Sequence, residues 1–272
     1  MFPLFNDAYK PSLQAQMLND EAALLIQQGA FHDAIPHLVQ ALRLYERVAD
    51  AYVACTCQHC SLESCIARSK RHEQPAYCME ISSADDDADD SDNDICYASG
   101  GYVYRQPIYC APTFSHEGHH PGVTLMMIII FNLALAHHLL SITYPQNEEM
   151  CRDQLSKALQ LYELFYQLQM EREVFSTQAM LAVANNVAMV HRVVGNQSKY
   201  QMCLEHLMSC IMLVVEDVKS NAHVDTADDS SSTSQSRRRS TNLCTSFDSK
   251  EMQGFLSNTS KLVLRGQCAS AA

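Results

Sequence analysis

Two stretches of the chain carry the same order of residue types, and this repetition constrains the fold more than any other feature. Ile130-Phe131-Asn132-Leu133-Ala134-Leu135-Ala136-His137-His138 and Ala184-Asn185-Asn186-Val187-Ala188-Met189-Val190-His191-Arg192 both read Asn, apolar, Ala, apolar, a further residue, then His. Each is followed by a second helical pattern. Ala158, Leu159, Tyr162, Phe165 and Tyr166 form the first of these, and Tyr200, Leu204, Leu207 and Met208 the second. A block near the amino terminus has the same form. Leu18, Ala22 and Leu25 share one helical face, and Gln28-Gly29-Ala30 supplies a break, since Gly takes the left-handed conformation that ends a helix. Ala34, Ile35, Leu38, Ala41, Leu42 and Tyr45 then line a second helix, with Pro36 near its first turn, where a missing N–H costs little. Repeated helix–turn–helix units with small residues at their contact positions predict an all-α chain.

Composition sets the boundaries. Residues 1–14 read as an amino-terminal arm, 15–48 as the first helical pair, and 123–215 as two further pairs. Between them, 49–122 holds Cys, Asp, Gly, Pro and Tyr with no sustained period. Loops beyond about 15 residues are uncommon inside compact domains, so this block is expected to be a largely disordered insertion. Its run Asp85–Asp94 holds seven aspartates and too few apolar residues to order itself. On that expectation, deleting 78–120 leaves stability nearly unchanged. Residues 216–246 read as a disordered Ser/Asp/Arg linker. Residues 247–272 read as a capping segment and tail, in which Met252, Phe255 and Leu256 share a short helical face, Ser257-Asn258-Thr259 end it, and Leu262–Leu264 run extended.

These residues resemble tetratricopeptide (TPR) repeats, helix–turn–helix units of about 34 residues. In the first copy Ala22, Leu25, Gly29, Phe31, Ala34, Leu38 and Ala41 fall in the family's register. The third keeps Ala188, Gly195, Leu204 and Leu207, with Tyr200 at a position usually small. The middle copy keeps Leu133, Ala134 and Ala158, and lengthens its turn through Thr143–Met150. The resemblance implies a short right-handed α-solenoid whose concave surface binds a peptide or partner helix, a non-enzymatic scaffold or adaptor without cofactor. Some members hold the C-terminal carboxylate of chaperones with Lys, Arg and Asn. Here Asn132 stands at the matching asparagine, but Asn19, Ala182 and Asn186 occupy the basic positions. A desolvated carboxylate would be left unpaired, which argues against a chaperone tail as partner.

The charge balance, 31 acidic against 19 basic residues, argues against nucleic acid as a partner. The segment MFPLFNDAYKPSLQ has neither basic n-region nor apolar h-region, so a secretory signal is not expected. The twelve cysteines are accordingly expected as reduced thiols in cytoplasm or nucleus. There the glycosylation patterns at Asn196 and Asn258 carry no meaning. The apolar run Val123–Ile142, interrupted by Asn132, His137 and His138, is expected to be a buried helix rather than a membrane span.

Several short motifs compete with this reading. His116-Glu117-Gly118-His119-His120 matches the zinc-hydrolase pattern H-E-x-x-H, in which His116 and His120 bind metal and Glu117 is the base, with Glu148 or Glu149 as a third ligand. The flanking Pro112 and Pro121 and the internal Gly118 argue for a solvated loop instead. Cys55, Cys57, Cys60 and Cys65 are chemically adequate for zinc or for redox sensing, but their spacing is not that of paired C-x-x-C hooks. Asp90–Asp94 lacks the Gly and Glu of a calcium loop. His137 and His191 read as interior residues making one hydrogen bond. Ser82 and Ser83 precede acidic residues, and Ser240 follows Arg237–Arg239, patterns that protein kinases favour.

Overall fold

The computed structural model describes residues 9–47, 60–70, 101–110, 122–172, 174, 176–222 and 249–269. Among the described residues the chain is all-α, with eight helices packed in pairs and no strand. They are α1 (Tyr9–Gln27), α2 (Phe31–Glu46), α3 (Leu62–Ser69), α4 (Val123–Thr143), α5 (Glu148–Arg172), α6 (Thr177–Val193), α7 (Gln197–Ala222) and α8 (Ser249–Ala269). They fall into two compact units. One comprises Met1–Gly100 and Arg105–Ser176, the other Gly101–Tyr104 and Thr177–Ala272.

In the first unit α1 packs on α2 and α4 on α5, and α4 also contacts α2 and α1. The α1–α2 turn follows from Gly29, whose φ of 79° is a left-handed conformation that costs other residues energy. Ala30 N–H donates to the Leu25 carbonyl at 2.9 Å and Gly29 N–H to the Ile26 carbonyl at 3.1 Å. This pair of bonds satisfies carbonyls that the helix end leaves open. Pro36 lies past the first turn of α2, inside the helix. Ala22, Ala34 and Ala41 are fully buried, so the small residues sit where helix approaches helix. Helix α4 is apolar on all sides and is the one helix among the described residues long and apolar enough to cross a membrane. Within this unit 89% of its most apolar stretch is buried. It runs antiparallel to α5, as Phe131 meets Phe165 at 5.7 Å between ring centroids while His138 meets Tyr162 at 6.1 Å. Glu148 and Glu149, expected in the turn, open α5 instead, whose first N–H groups are capped by Asn147: its Oδ1 accepts from Met150 N–H at 3.1 Å.

In the second unit α6 packs on α7, and α8 packs on both. The α6–α7 turn repeats the α1–α2 turn bond for bond. Gly195 has φ 76°, Asn196 N–H donates to the His191 carbonyl at 2.8 Å, and Gly195 N–H donates to the Arg192 carbonyl at 3.2 Å. Asn196 then caps α7 through Lys199 N–H at 3.2 Å. Helix α7 runs to Ala222, beyond the expected boundary at 215.

Three expectations need correction. The block 49–122 is not uniformly aperiodic: α3 forms inside it, capped by Ser61, whose hydroxyl accepts from Ser64 N–H at 3.2 Å. Residues 101–110 are outside any helix or strand, yet Val103, Tyr104, Pro107, Ile108 and Cys110 are buried. Helix α8 does not stop at Ser257–Thr259 but continues to Ala269. The hydroxyls of Thr259 and Ser260 donate to carbonyls one turn back, at 3.0 and 2.8 Å, which removes their competition with the helix. Leu256 is exposed and Phe255 fully buried, so the face of α8 that packs runs through Phe255.

Candidate functional site

A buried asparagine amide offers one acceptor and two donors, and burying it unpaired is costly. Asn19 on α1, Asn132 on α4, Asn185 and Asn186 on α6 and Asn258 on α8 are all fully buried. Each finds partners in the backbone of residues 101–110.

Within the first unit the anchor is Ile108. Asn132 Oδ1 accepts its N–H at 2.8 Å, and Asn132 Nδ2 donates to its carbonyl at 2.7 Å. The second Nδ2 hydrogen of Asn132 goes to Asn19 Oδ1 at 2.9 Å, and Asn19 Nδ2 donates to the same Ile108 carbonyl at 3.2 Å. Two residues on, Asp20 Oδ1 accepts from Cys110 N–H at 2.8 Å. The spacing has a cause. In an extended chain the N–H and C=O of one residue point to the same side, and those of the next residue to the opposite side. Ile108 and Cys110 therefore face the asparagines, while Tyr109 N–H turns away and donates to Ser69 Oγ on α3 at 2.7 Å. Tyr109 Oη reaches Gln27 Oε1 on α1 at 2.7 Å, and burial together with the Asp20 charge pushes its phenol up to about 12.

The second unit repeats the arrangement on Tyr102 and Tyr104. Asn186 Oδ1 accepts from Tyr104 N–H at 2.9 Å while Nδ2 donates to the Tyr104 carbonyl at 3.0 Å. Asn258 does the same to Tyr102, at 3.0 and 2.8 Å. Asn185 braces the pair: its Nδ2 donates to the Tyr102 carbonyl at 3.0 Å, and its Oδ1 accepts from Asn258 Nδ2 at 2.6 Å. The tyrosine rings flank Phe255. Tyr102 meets it edge-on at 5.4 Å, and Tyr104 lies nearly parallel to it at 6.2 Å. Gly254 leaves room for the Tyr102 ring, which a Cβ at that position would strike.

Chemically, the arrangement grips a main chain. Three asparagine amides each close a two-bond ring on one extended residue, the pairing a neighbouring β-strand would supply. Such contacts read conformation rather than side-chain identity, and specificity is left to the pockets alongside.

The other candidate residues distribute as follows. His116, Glu117, His120, Cys55, Cys57, Asp90–Asp94, Ser82, Ser83 and Ser240 lie outside the described residues. Cys60 and Cys65 are buried at and within α3. Cys110 is also buried, and desolvation together with the Asp20 charge raises its thiol well above the ordinary range. Among the described residues no group of three or more His, Cys, Asp or Glu side chains is placed to hold a metal. His137 makes the one hydrogen bond expected of it, Nδ1 to Gln154 Oε1 at 2.6 Å, and burial lowers its pKa. His191 is buried on α6. Asn19, Asn132 and Asn186, singled out by comparison with a carboxylate clamp, do line the site, but with backbone as their partner. Asn185, Asn258 and the whole 101–110 stretch were missed. The signal that could have pointed to them was the asparagine at the same place in the apolar helices α4 and α6, Asn132 and the pair Asn185-Asn186.

No family model matches the chain, and neither a curated protein nor a solved structure matches it.

Proposed function

We propose that this chain is a non-enzymatic interaction module of TPR-like architecture, working in cytoplasm or nucleus, in which the first helix of each pair offers amide side chains to an extended peptide backbone. The observation that carries this is the two-point capture of Ile108 by Asn132 and of Tyr104 by Asn186, each from the first helix of its own pair. The two matching glycine turns, at Gly29 and Gly195, support reading the α1–α2 and α6–α7 pairs as copies of one repeat. A partner would supply the extended segment, and its side chains would set selectivity.

Cross-linking mass spectrometry on the full chain, purified with its partners, tests this. Cross-links from one partner segment to α1, α4 or α6 are expected. Absence of any partner, or cross-links confined to α5 and α7, would count against the proposal.

A further inference from the structure

The seat for Tyr102–Val103–Tyr104 in the second unit is built as a receptor is built. Its polar part is complete without any side chain of the segment: Asn186 and Asn258 take both backbone groups of Tyr104 and Tyr102, and Asn185 holds Asn258 in place. Its apolar part takes two rings, one on either relation to Phe255, with Gly254 cut back to admit Tyr102. Three residues on one turn of α8, Gly254, Phe255 and Asn258, thus meet the segment. The two residues gripped, Tyr102 and Tyr104, alternate as same-side residues of an extended chain do, so the pattern read is aromatic, any residue, aromatic.

We propose that the second unit is a binding site for an extended aromatic-x-aromatic peptide, and that the chain's own Tyr102–Tyr104 is a resident copy which a partner's segment must displace. The inference rests on the interaction-module reading and names the ligand class for one part of it. A covalently tethered segment is present at an effective concentration of order millimolar, so a free peptide competes poorly until the tethered copy is weakened. Backbone capture makes exchange feasible, because an incoming extended chain makes the same five backbone bonds whatever its sequence.

The test uses fluorescein-labelled peptide Gly-Tyr-Val-Tyr-Arg-Gln and fluorescence anisotropy on two full-length proteins: the unaltered chain, and a Tyr102→Ser/Tyr104→Ser variant whose own anchors are removed but whose asparagines remain. The peptide is expected to bind the variant at least about 30-fold more tightly than the unaltered chain, given the effective concentration above. Replacing both peptide tyrosines by serine should abolish binding, as should Gly254→Leu in the variant. Equal binding to the two proteins, or none to a folded variant, overturns the proposal. Should the variant fail to fold, hydrogen exchange on the unaltered chain decides. Release of the Tyr102 and Tyr104 amides while α6 stays protected supports an exchangeable segment, and release only together with α6 overturns it. If the peptide fails while partner cross-links still reach α1, α4 or α6, this inference falls alone. If the peptide binds and no partner is cross-linked, the seat stands and the wider reading falls.

Discussion

The Tyr102 ring occupies the space that a side chain at Gly254 would need: a Cβ built there would overlap three of its ring carbons. Glycine inside a helix is ordinarily a liability of roughly 0.5–1 kcal/mol against alanine, so here absence of a side chain is traded for a seat. Gly254→Ala should therefore destabilise the protein by about 1–3 kcal/mol through overpacking. In a Tyr102→Ser background the same change should stabilise it by up to about 1 kcal/mol, since only helix propensity remains. Urea unfolding of the four proteins of this cycle gives the answer. No change of sign between the two backgrounds would show that the ring and the glycine are not coupled.

Asn132 serves two groups that no other residue can fully satisfy. Its removal leaves the Ile108 N–H without its 2.8 Å acceptor, and the carbonyl keeps only the longer bond from Asn19. Asn132→Ala is expected to cost about 3 kcal/mol, at the upper end for stranding a buried polar group. Asn132→Leu should cost no less, because apolar volume cannot replace the acceptor. A loss below about 0.5 kcal/mol in denaturant titration would mean that the Ile108 backbone finds other partners.

The legible part of the fold was what side chains encode by period. Gly29 and Gly195 mark turns by their conformation, and Ala22, Ala34 and Ala41 mark helix contacts by their size. Both signals are local. The 101–110 stretch has no such signal, since its stabilising contacts are made by its backbone, which every residue shares. Its order is written instead in the residues that receive it, the asparagines of α1, α4, α6 and α8. Asn258 shows how this misleads: within Ser257-Asn258-Thr259 it reads as a helix stop, yet its amide is committed to Tyr102 and the helix runs on. Cys110 likewise carries no local signal, although Asp20 and Asn19 hold its backbone and sulfur.

His138 should make the protein acid-sensitive. Its two ring nitrogens are buried on α4 without a hydrogen-bond partner, and desolvation, with a smaller contribution from the Arg105 charge, lowers its pKa to about 3. The unfolded chain takes up the proton near pH 6.5 while the folded chain stays neutral. Acid therefore favours unfolding, and the contribution is lost as pH falls from about 6.5 towards 3, at about 1.4 kcal/mol per pH unit for one proton. His137, lowered in the same direction, adds to the slope. His138→Leu should flatten stability against pH by close to one proton between pH 6 and 4. Parallel curves for the two proteins would show that His138 becomes protonated in the folded state.

Removing residues 78–120 should be severely destabilising, the reverse of what their composition suggests. The deletion takes away Tyr102, Tyr104, Ile108 and Cys110, and with them the backbone partners of Asn132, Asn186, Asn258 and Asp20. The three asparagine amides are fully buried, so each loses a bonded partner in a place where water is a poor substitute, at about 1–3 kcal/mol apiece. Phe255 also loses both tyrosine rings. Since about 1 kcal/mol shifts the midpoint by 2–4 °C in a domain of 150–250 residues, the melting temperature should fall by at least about 10 °C or the cooperative transition should disappear. Calorimetry of the deleted chain, alone and with a synthetic peptide spanning 100–111 added back, separates two causes. Partial recovery with the peptide would assign the loss to the vacated asparagines, and an unchanged transition without it would show that the helices hold together independently of the segment.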